Sequence, residues 1–305
     1  MSKIKKLFKL LLHPKQIVYH VVCKYPKLIR HDEQYIKFIW KYKMGYPLNL
    51  DNPRTYNEKL QWLKLYNRKP EYTVMVDKYL AKDYVASVIG DEYIIPTIGV
   101  WDNVEEIDFQ SLPNQFVLKC THDSGGLCIC KDKSKLDILQ VKKKLREALK
   151  KEFYWYGREW PYKNVRRRIL AEQYMEDAET HELRDYKFFC FDGVPKFSFI
   201  ATGRQSQAEP YFDFFDMEFN HLPFEHGHPH SPILPKKPKN FNLMKKLSHE
   251  LSKGLPHVRV DWYEVNDKAY FGELTFFHHN GMVPFNPNEW DYKLGEMIKL
   301  PIKYE

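Results

Sequence analysis

The chain has 305 residues, of which 43% are hydrophobic and 16% aromatic, so it can bury a substantial core and is not a globally disordered protein. No uncharged apolar run approaches the roughly 20 residues that a membrane-spanning helix needs. The five cysteines follow no CxxC spacing, so they give no sign of a disulfide framework or a zinc site and indicate a reducing, cytoplasmic compartment.

The formal net charge of +8 is concentrated at the N-terminus. Residues 1–30 hold eight lysines and arginines and no acidic residue, so residues 31–305 sum to zero. The body therefore lacks the basic face that nucleic acid would require as a partner. Four apolar residues stand at helical spacing between the lysines: Ile4, Leu7, Phe8 and Leu11. The pattern predicts a basic amphipathic helix on an anionic membrane surface, with a helix docked on its own domain as the alternative.

Hydrophobic periodicity and turn residues predict the secondary structure in chain order. In the first half the predicted elements are helices over 53–69 and 70–88, a short strand within 91–103, strands over 116–120 and 127–131, and a helix over 134–152. In the second half they are a strand over 168–175, a hairpin of 185–191 and 195–201, a loop over 221–239, a helix over 240–253, and a hairpin of 257–263 and 269–277. Short hairpins with intervening helices predict an α+β fold, in contrast to an alternating parallel one.

The last hairpin carries the strongest chemical pattern. If its turn centres on Asp267, Asp261 lies across from Glu273 and Arg259 lies across from Thr275, and all four side chains share one face. Carboxylates directly opposite in a sheet repel each other, so the pair needs a cation, and oxygen ligands suit Mg²⁺. Two alternatives stay open: a register displaced by one residue, or neutralisation of the pair by Arg259.

Two further segments suggest nucleotide chemistry. Lys119 ends a strand before the glycine-rich turn 122–126, where its ammonium group and backbone N–H groups could bind phosphates, although the alternative is a plain hairpin turn with a surface lysine. Glu172 is a polar residue in an apolar strand and could present a carboxylate to a base at a hinge, or it could be an ordinary edge-strand glutamate.

The histidines fall into two groups. Four of them lie in the proline-rich loop 221–239 without a matching carboxylate or cysteine pattern, which favours a mobile surface loop over a metal site: His221, His226, His228 and His230. His278 and His279 directly follow the candidate metal strand and are better placed for substrate contact or proton transfer.

The order of these motifs resembles the ATP-grasp superfamily, and within it the TupA-like branch of teichuronopeptide biosynthesis, whose members are often labelled glycosyltransferases. The resemblance runs from Asn52 to Pro301. It is carried by the segments YNEKLQWLKLY, VDKYLAKDYV, FVLKCTHDSGG, ILAEQYMED, DYKFFCFDG, HVRVDWY and FGELTFF.

The resemblance implies an ATP-grasp fold in which two α+β subdomains clamp ATP and Mg²⁺. It implies four segments: a basic arm (1–30), a region of helices and short strands (31–115), a smaller subdomain (116–184) and a larger one with the metal site (185–305). The implied ATP contacts are Lys78, Lys119, the loop Ser124, Gly125 and Gly126, the hinge Glu172, Gln173, Tyr174 and Met175, and Lys187. The implied metal ligands are Asp261, Glu273 and Thr275, the last in a position where the superfamily usually has Asn. The implied catalytic residues are Arg259, which would hold the transferring phosphoryl group, Lys119 and His279.

The implied reaction is ATP-dependent joining of a carboxylate to an amine through an acylphosphate. The expected partners are ATP, a sugar or lipid-linked saccharide acceptor and an amino compound. The expected setting is capsular or other cell-surface polysaccharide assembly, with a uronic acid or amino sugar modified in the cytoplasm or at the inner membrane face. The alternatives are a sugar kinase on the same scaffold, a glycosyltransferase, and a membrane-surface scaffold that only binds nucleotide.

Overall fold

Local capping sets the ends of the N-terminal helices. The computed structural model describes residues 14–123, 125–179, 183–203 and 209–303. Its first helices are α1 (Pro14–Lys24), α2 (Asp32–Met44), α3 (Tyr56–Tyr66), α4 (Glu71–Val76) and α5 (Leu80–Ile89). The α3 helix begins after Thr55, because the Thr55 hydroxyl accepts the Glu58 N–H and the Glu58 carboxylate accepts the Thr55 N–H. The helix predicted over 53–69 is therefore confirmed, with shorter ends.

The single helix predicted over 70–88 is wrong, because the segment forms two helices separated at Asp77. Asp77 has an extended backbone (φ −69°, ψ 113°), and its carboxylate accepts the N–H groups of Tyr79 and Leu80, which begins α5 anew. Lys78 consequently lies in the break. Its backbone N–H donates to the carbonyl of Thr121, 3.1 Å away, and so ties the break to the loop that follows β2.

The smaller of the two main sheets has four antiparallel strands in the order β1-β4-β2-β3. The strands are β1 (Thr97–Trp101), β2 (Phe116–Cys120), β3 (Leu127–Cys130) and β4 (Ile169–Gln173). Helix α6 (Ile138–Leu149), whose N-terminus is capped by Asp137, packs on this sheet. Together they bury a hydrophobic cluster that includes Phe116, Leu118 and Leu145.

The domain boundary predicted at residue 116 falls inside this unit. Strand β1 pairs with β4, and the apolar side chains that follow it, Val104, Ile107 and Phe109, belong to the same buried cluster. The segment that begins at Thr97 thus packs with the smaller sheet, because its apolar residues are buried against that sheet and α6.

The larger sheet has five antiparallel strands in the order β10-β9-β5-β6-β7. In chain order the remaining strands are β5 (Asp185–Phe191), β6 (Val194–Thr202), β7 (Tyr211–Asp216), β8 (Glu225–His226), β9 (His257–Val265), β10 (Lys268–Thr275) and β11 (Phe285–Asn286), with β8 paired only to β11. Both predicted hairpins are confirmed. Helix α8 (Phe241–Ser252) packs on this sheet, which shares one large hydrophobic cluster with the N-terminal helices, including Trp40, Leu60, Phe188 and Trp262.

Short elements complete the fold. The remaining helices are α7 (Tyr154–Gly157) and α9 (Glu289–Met297), and the 3₁₀ helices are Pro26–Leu28, Asp91–Tyr93, Val104–Glu106, Lys133–Lys135, Trp160–Asn164 and His278–Gly281. The helix predicted over 134–152 is α6 alone, since Lys133–Lys135 is a 3₁₀ turn and Asp137 caps the α-helix.

The basic arm is described only from Pro14 onward, so the amphipathic pattern from Ile4 to Leu11 lies outside the described residues. Helix α1 docks on the body, because Val22 is buried and the Tyr19 ring stacks on Tyr42 at 5.0 Å. Within the part of the chain that the structure describes, no helix is both long and apolar enough to span a bilayer.

Candidate active site

The β9–β10 hairpin places the predicted metal residues opposite each other. Asp261 pairs with Glu273, and Arg259 pairs with Thr275, so the predicted cross-strand pairing is confirmed. The four side chains also contact one another, as expected for residues that share one face of a sheet.

The hairpin reaches this pairing by a route that the sequence did not predict. The turn is the pair Asn266–Asp267, both with left-handed backbones (φ 49° and 62°), so it does not centre on Asp267 alone. A bulge at Gly272 then shifts the register by one residue. A glycine suits this position, because the Cβ atom of any other residue would lie only 3.1 Å from the Asp261 carbonyl oxygen, which is closer than an ordinary contact.

Asp261 is bound by two cations. Arg259 donates from Nε to Oδ1 at 2.6 Å and from Nη2 to Oδ2 at 2.7 Å, and Lys187 donates to Oδ2 at 2.5 Å. Arg259 also donates to the Thr275 hydroxyl at 3.0 Å. The sequence left open whether Arg259 neutralises the carboxylate pair. In this structure Arg259 does neutralise Asp261.

Glu273 is the more open of the two carboxylates. Its oxygens lie 3.5 Å from Arg259 Nη2 and 3.9 Å from Lys78 Nζ, and its side chain is 39% exposed. Burial of the carboxyl group raises its pKa, but Lys78, Lys187, Arg259 and Lys119 outweigh that effect and lower the pKa to about 2. Glu273 is thus a charged oxygen ligand at the edge of a cluster of cations.

Glu172 lies within β4 and is bound by two lysines. Its oxygens lie 2.7 Å from Lys82 Nζ and 2.5 Å from Lys119 Nζ. Burial opposes its charge, yet the two lysines hold its pKa below the ordinary value. Lys82 comes from α5 and also donates to the Ile95 carbonyl at 2.7 Å, so its ammonium is buried on the core side of Glu172, whereas Lys119 reaches the cleft.

The loop between β2 and β3 folds around Asp123. The Asp123 carboxylate accepts the Gly126 N–H at 3.0 Å, and its carbonyl accepts Lys78 Nζ at 2.7 Å. A Cβ atom at Gly126 would clash with side chains of β2 and α6, whereas one at Gly125 would meet nothing closer than 3.8 Å. Ser124 lies outside the described residues.

Three adjoining cavities run along the cleft between the two sheets. The apolar cavity, of about 500 Å³, is lined by side chains that include Ile95, Val117, Leu127, Ile129, Tyr174 and Met175. The charged cavity, of about 170 Å³, is lined by Lys78, Lys119, Glu172, Asp185, Lys187 and Glu273, among others. The outer cavity, of about 580 Å³, includes Glu159, Phe199, Phe212, Arg259, His278 and His279 in its lining.

The cavities adjoin one another and share wall residues. Lys119 and Glu172 line both the apolar and the charged cavity, and Lys187 and Glu273 line both the charged and the outer cavity. The predicted hinge, residues 172–175, forms one wall of the apolar cavity, where the strand pairing of β4 ends at Gln173.

His279 lines the outer cavity with a left-handed backbone (φ 49°). Burial and, second, the nearby Arg259 lower its pKa to about 4, so the ring is neutral at physiological pH. His278 Nδ1 accepts a hydrogen bond from Arg259 Nη1 at 2.5 Å, so this ring orients the guanidinium from the side away from Asp261.

Glu159 is a site residue that the sequence did not predict. It lines the outer cavity, and among the described residues its carboxylate has neither a hydrogen bond nor an ion pair. Burial raises its pKa to about 7, against the opposing effect of Lys64, a fully buried lysine that donates to the Asn280 carbonyl at 2.7 Å. Its only signal in the sequence is an acidic residue within the aromatic run YWYGREW.

The sequence shows no carboxylate pattern that matches the histidine loop, but the fold brings a carboxylate to it. His221 and His230 both lie beside Asp213 of β7, with nitrogen–oxygen distances of 3.5 and 3.4 Å. His226 is 1% exposed, and its Nε2 donates to the Val283 carbonyl. The loop is therefore packed against the larger sheet by its histidines, which sequence spacing could not reveal.

The comparisons with solved structures returned ATP-grasp ligases at low identity. The D-alanine–D-alanine ligase from Bacillus anthracis complexed with ATP is 14% identical, with 67% of this chain and 54% of that chain covered and a TM-score of 0.39. The D-alanine–D-alanine ligase from Helicobacter pylori is 12% identical, with 80% and 69% covered and a TM-score of 0.42. The ATP-grasp ligase PsnB, complexed with minimal precursor, Mg and ADP, is 10% identical, with 72% and 57% covered and a TM-score of 0.39. The chain thus spans little more than half the length of two of these ligases.

The family assignment comes from sequence. No curated protein matched the chain. The family model described as TupA-like ATPgrasp matches residues 58–299, which is most of the chain and includes both main sheets and all three cavities. The chain therefore belongs to the TupA-like ATP-grasp family and has the ATP-grasp fold.

Proposed function

We propose that the protein is an ATP- and Mg²⁺-dependent ligase that joins a carboxylate to an amine through an acylphosphate. The observation that carries the proposal is the order of three adjoining cavities along one cleft: apolar, charged and outer. A nucleotide has the same order of parts, with an apolar base at one end and a reacting phosphoryl group at the other.

The adenine base would occupy the apolar cavity. Leu127 and Met175 offer apolar surface there, and the Tyr174 ring adds an aromatic face. Beyond Gln173 the backbone has left the strand pairing, so its amide and carbonyl groups are free of the ladder and can bind the edge of a base.

The phosphates would occupy the charged cavity. Lys119 enters it from the smaller sheet, Lys78 from the break between α4 and α5, and Lys187 from the larger sheet. Closing the cleft on a triphosphate would bring these three cations to the same phosphate chain. In phosphoryl transfer, catalysis comes mainly from cations that stabilise the charge on the transferring phosphoryl group.

The donors at the boundary with the outer cavity fit Mg²⁺. Glu273 and Asp261 are paired carboxylates, and hard oxygen ligands are the type that Mg²⁺ prefers. Glu273 is available as it stands, whereas both oxygens of Asp261 are held by Arg259 and Lys187, so Asp261 would ligate the ion only after these cations turn toward the phosphates. Bound there, Mg²⁺ would neutralise phosphoryl charge.

The outer cavity would hold the carboxylate and the amine. Arg259 faces it and would bind the carboxylate and the transferring phosphoryl group. An amine must lose a proton to attack an acylphosphate. Glu159 would accept that proton, because among the described residues its carboxylate has no hydrogen bond or ion pair and its pKa is raised to about 7. His279 is neutral and would contact the substrates.

Two observations support a substrate class: the family and the aromatic wall of the outer cavity. Phe199, Phe212 and Phe277 line the outer cavity, and aromatic faces suit the C–H face of a sugar ring. We infer a uronic acid or amino sugar, free or lipid-linked, in cell-surface polysaccharide assembly. The basic arm would hold the enzyme at an anionic inner membrane face.

Isotope transfer tests the reaction. In a ligase one carboxylate oxygen leaves with the phosphate, whereas in a kinase the phosphoryl group stays on the product. With a uronic acid labelled with ¹⁸O in its carboxylate and a panel of amino acids as amines, we expect one ¹⁸O atom in each released phosphate, and full turnover only with amine present. The Glu273→Gln variant is the control and should release none.

Two outcomes would contradict the proposal. A phosphorylated sugar without free phosphate would make the protein a kinase. Consumption of a sugar nucleotide, without ATP turnover, would make it a glycosyltransferase.

A further inference from the structure

The loop after β7 returns along that strand and brings two histidines to one aspartate. The Leu222 N–H donates to the Phe214 carbonyl at 2.8 Å, and the Phe212 N–H donates to the Pro229 carbonyl at 3.0 Å. These bonds place His221 and His230 on either side of Asp213. Because neighbouring strand residues point to opposite faces, Phe212 lines the outer cavity while Asp213 points away from it.

Asp213 is a fully buried carboxylate without a permanent cation. It is 0% exposed, and among the described residues its partners are the Ser231 N–H at 3.1 Å and the two histidine rings. A buried carboxylate is costly unless it is paired or bound to a metal. No described lysine or arginine makes an ion pair with it, so the pairing must come from the histidines or from an ion.

The ring nitrogens that face Asp213 contact it without making a hydrogen bond. His221 Nε2 and His230 Nδ1 are buried atoms without a hydrogen-bond partner among the described residues. They lie 3.5 and 3.4 Å from the same oxygen, Asp213 Oδ1, which is longer than a good hydrogen bond between nitrogen and oxygen.

These distances match the edges of a metal tetrahedron. Ligands at the 2.0–2.1 Å bond lengths of Zn²⁺ lie about 3.3–3.4 Å apart in tetrahedral geometry. The three ligand atoms all lie within 4.8 Å of one another. Imidazole nitrogen favours zinc and other first-row transition metals, whereas Mg²⁺ prefers oxygen, so this site would not compete for the ion at Glu273.

We propose that Asp213, His221 and His230 form a binding site for a divalent transition-metal ion, with Zn²⁺ as the best fit. The three side chains supply one oxygen and two nitrogen ligands, and the two histidines are about one quarter exposed, which leaves the fourth position open to water. The Ser231 N–H holds the carboxylate in place from the outside.

A second histidine trio, His226, His278 and His279, is a poorer site although its nitrogens also lie close together. His278 Nδ1 accepts a hydrogen bond from Arg259, so the proton of the neutral ring is on Nε2 and neither ring nitrogen has a free lone pair for an ion. A protonated nitrogen cannot ligate a metal, and the trio has no carboxylate to balance the charge of an ion.

The proposed ion would fix one wall of the outer cavity. His221 and His230 are the two ends of a loop segment that carries His226 and His228, whose rings contact His279. Clamping both ends to β7 would hold these rings in place. The site is therefore structural, and it does not depend on the ligase reaction.

Direct metal binding tests the proposal on the full chain, purified without a histidine tag. Competition with a chromophoric chelator should give one tightly bound Zn²⁺ per chain. His221→Gln and His230→Gln, both at partly exposed positions, should each weaken that binding by at least about 100-fold, because even outer-shell changes cost 10- to 100-fold. Asp213→Asn should do the same. His228→Gln is the matched control in the same loop and should bind like the wild type.

The visible absorption of bound Co²⁺ separates the site from its rival, the trio His226, His278 and His279. Co²⁺ added in place of Zn²⁺ should give the visible absorption bands of four-coordinate cobalt, and these should vanish in His221→Gln but persist in His279→Gln. The proposal is overturned if the wild type binds no stoichiometric Zn²⁺, if the His221 and His230 variants bind it normally, or if His279→Gln is the change that removes it.

Discussion

Two lysines that bind the same carboxylate are expected to have different roles. Lys119 and Lys82 both contact Glu172, at 2.5 and 2.7 Å, but Lys119 lines the cavities and Lys82 donates into the core, to the Ile95 carbonyl. Replacing each by methionine removes the ammonium group and keeps most of the side-chain volume. Lys119→Met removes a charged donor worth about 1.5–3 kcal/mol to a phosphate, so ATP should bind roughly 10- to 100-fold more weakly.

Lys82→Met should instead destabilise the fold. It leaves the Ile95 carbonyl without its donor, at about 1–3 kcal/mol, and deprives a buried carboxylate of one of two cations, so we expect a total loss of about 2–4 kcal/mol. Lys119→Met leaves no carbonyl without a donor, and Glu172 keeps its contact with Lys82. We therefore expect this variant to lose only about 1 kcal/mol of unfolding free energy.

Urea unfolding and titration calorimetry with MgATP, performed on both variants, measure the two effects separately. Lys82→Met should bind MgATP within about threefold of the wild type at a temperature where it is folded. Equal losses of ATP affinity in both variants would refute the division of roles, and unchanged affinity in Lys119→Met would remove Lys119 from the nucleotide site.

Four further changes test the rest of the cleft and the basic arm. Asp261→Asn and Glu273→Gln should each abolish turnover while circular dichroism and the unfolding midpoint show an intact fold, and near-normal activity in either would exclude it as a metal ligand. The pKa of Glu159 is raised to about 7, and as a base the residue is active when deprotonated, so kcat/KM should rise as the pH increases through about 7. The Glu159→Gln variant should lose that rise. A Glu159→Gln profile that keeps the rise would assign the base to another residue. Deletion of residues 1–30 should release the protein from anionic vesicles in a salt-dependent way yet preserve ATP binding, and vesicle binding that survives the deletion would refute the anchor.

The sequence predicted best where the chemistry lies on adjacent strands. The two-residue period of a strand put Arg259, Asp261, Glu273 and Thr275 on one face, and the structure places them so. The inferred turn centre was wrong, yet the pairing was right, because the bulge at Gly272 compensates for the position of the turn. A bulge depends on local backbone packing, so a pattern of alternating residues cannot locate it.

The sequence failed where contacts join distant or irregular segments. Lys82 reaches Glu172 from a helix some 90 residues earlier in the chain, and Glu159 lies in the irregular connection between α7 and β4. Asp213 meets His221 and His230 only because the loop folds back on β7. Each contact is set by tertiary packing, which leaves no periodic signal in the sequence.

The balance of charge around the nucleotide site leads to one more expectation. Five cations, Lys78, Lys82, Lys119, Lys187 and Arg259, are met by four carboxylates, Glu172, Asp185, Asp261 and Glu273. The site therefore has little net positive charge for a bare triphosphate.

Metal-free ATP should bind weakly for that reason, and Mg²⁺ should supply the missing charge through Glu273. The Glu273→Gln variant should therefore change the affinities for metal-free ATP and for MgATP in opposite directions. It removes a repelling carboxylate, so metal-free ATP in the presence of a chelator should bind more tightly than to the wild type, while MgATP should bind more weakly because a ligand to the ion is lost. Calorimetry with and without Mg²⁺ measures both. If the two affinities change in the same direction, Glu273 acts only as a background charge, and the metal is held elsewhere.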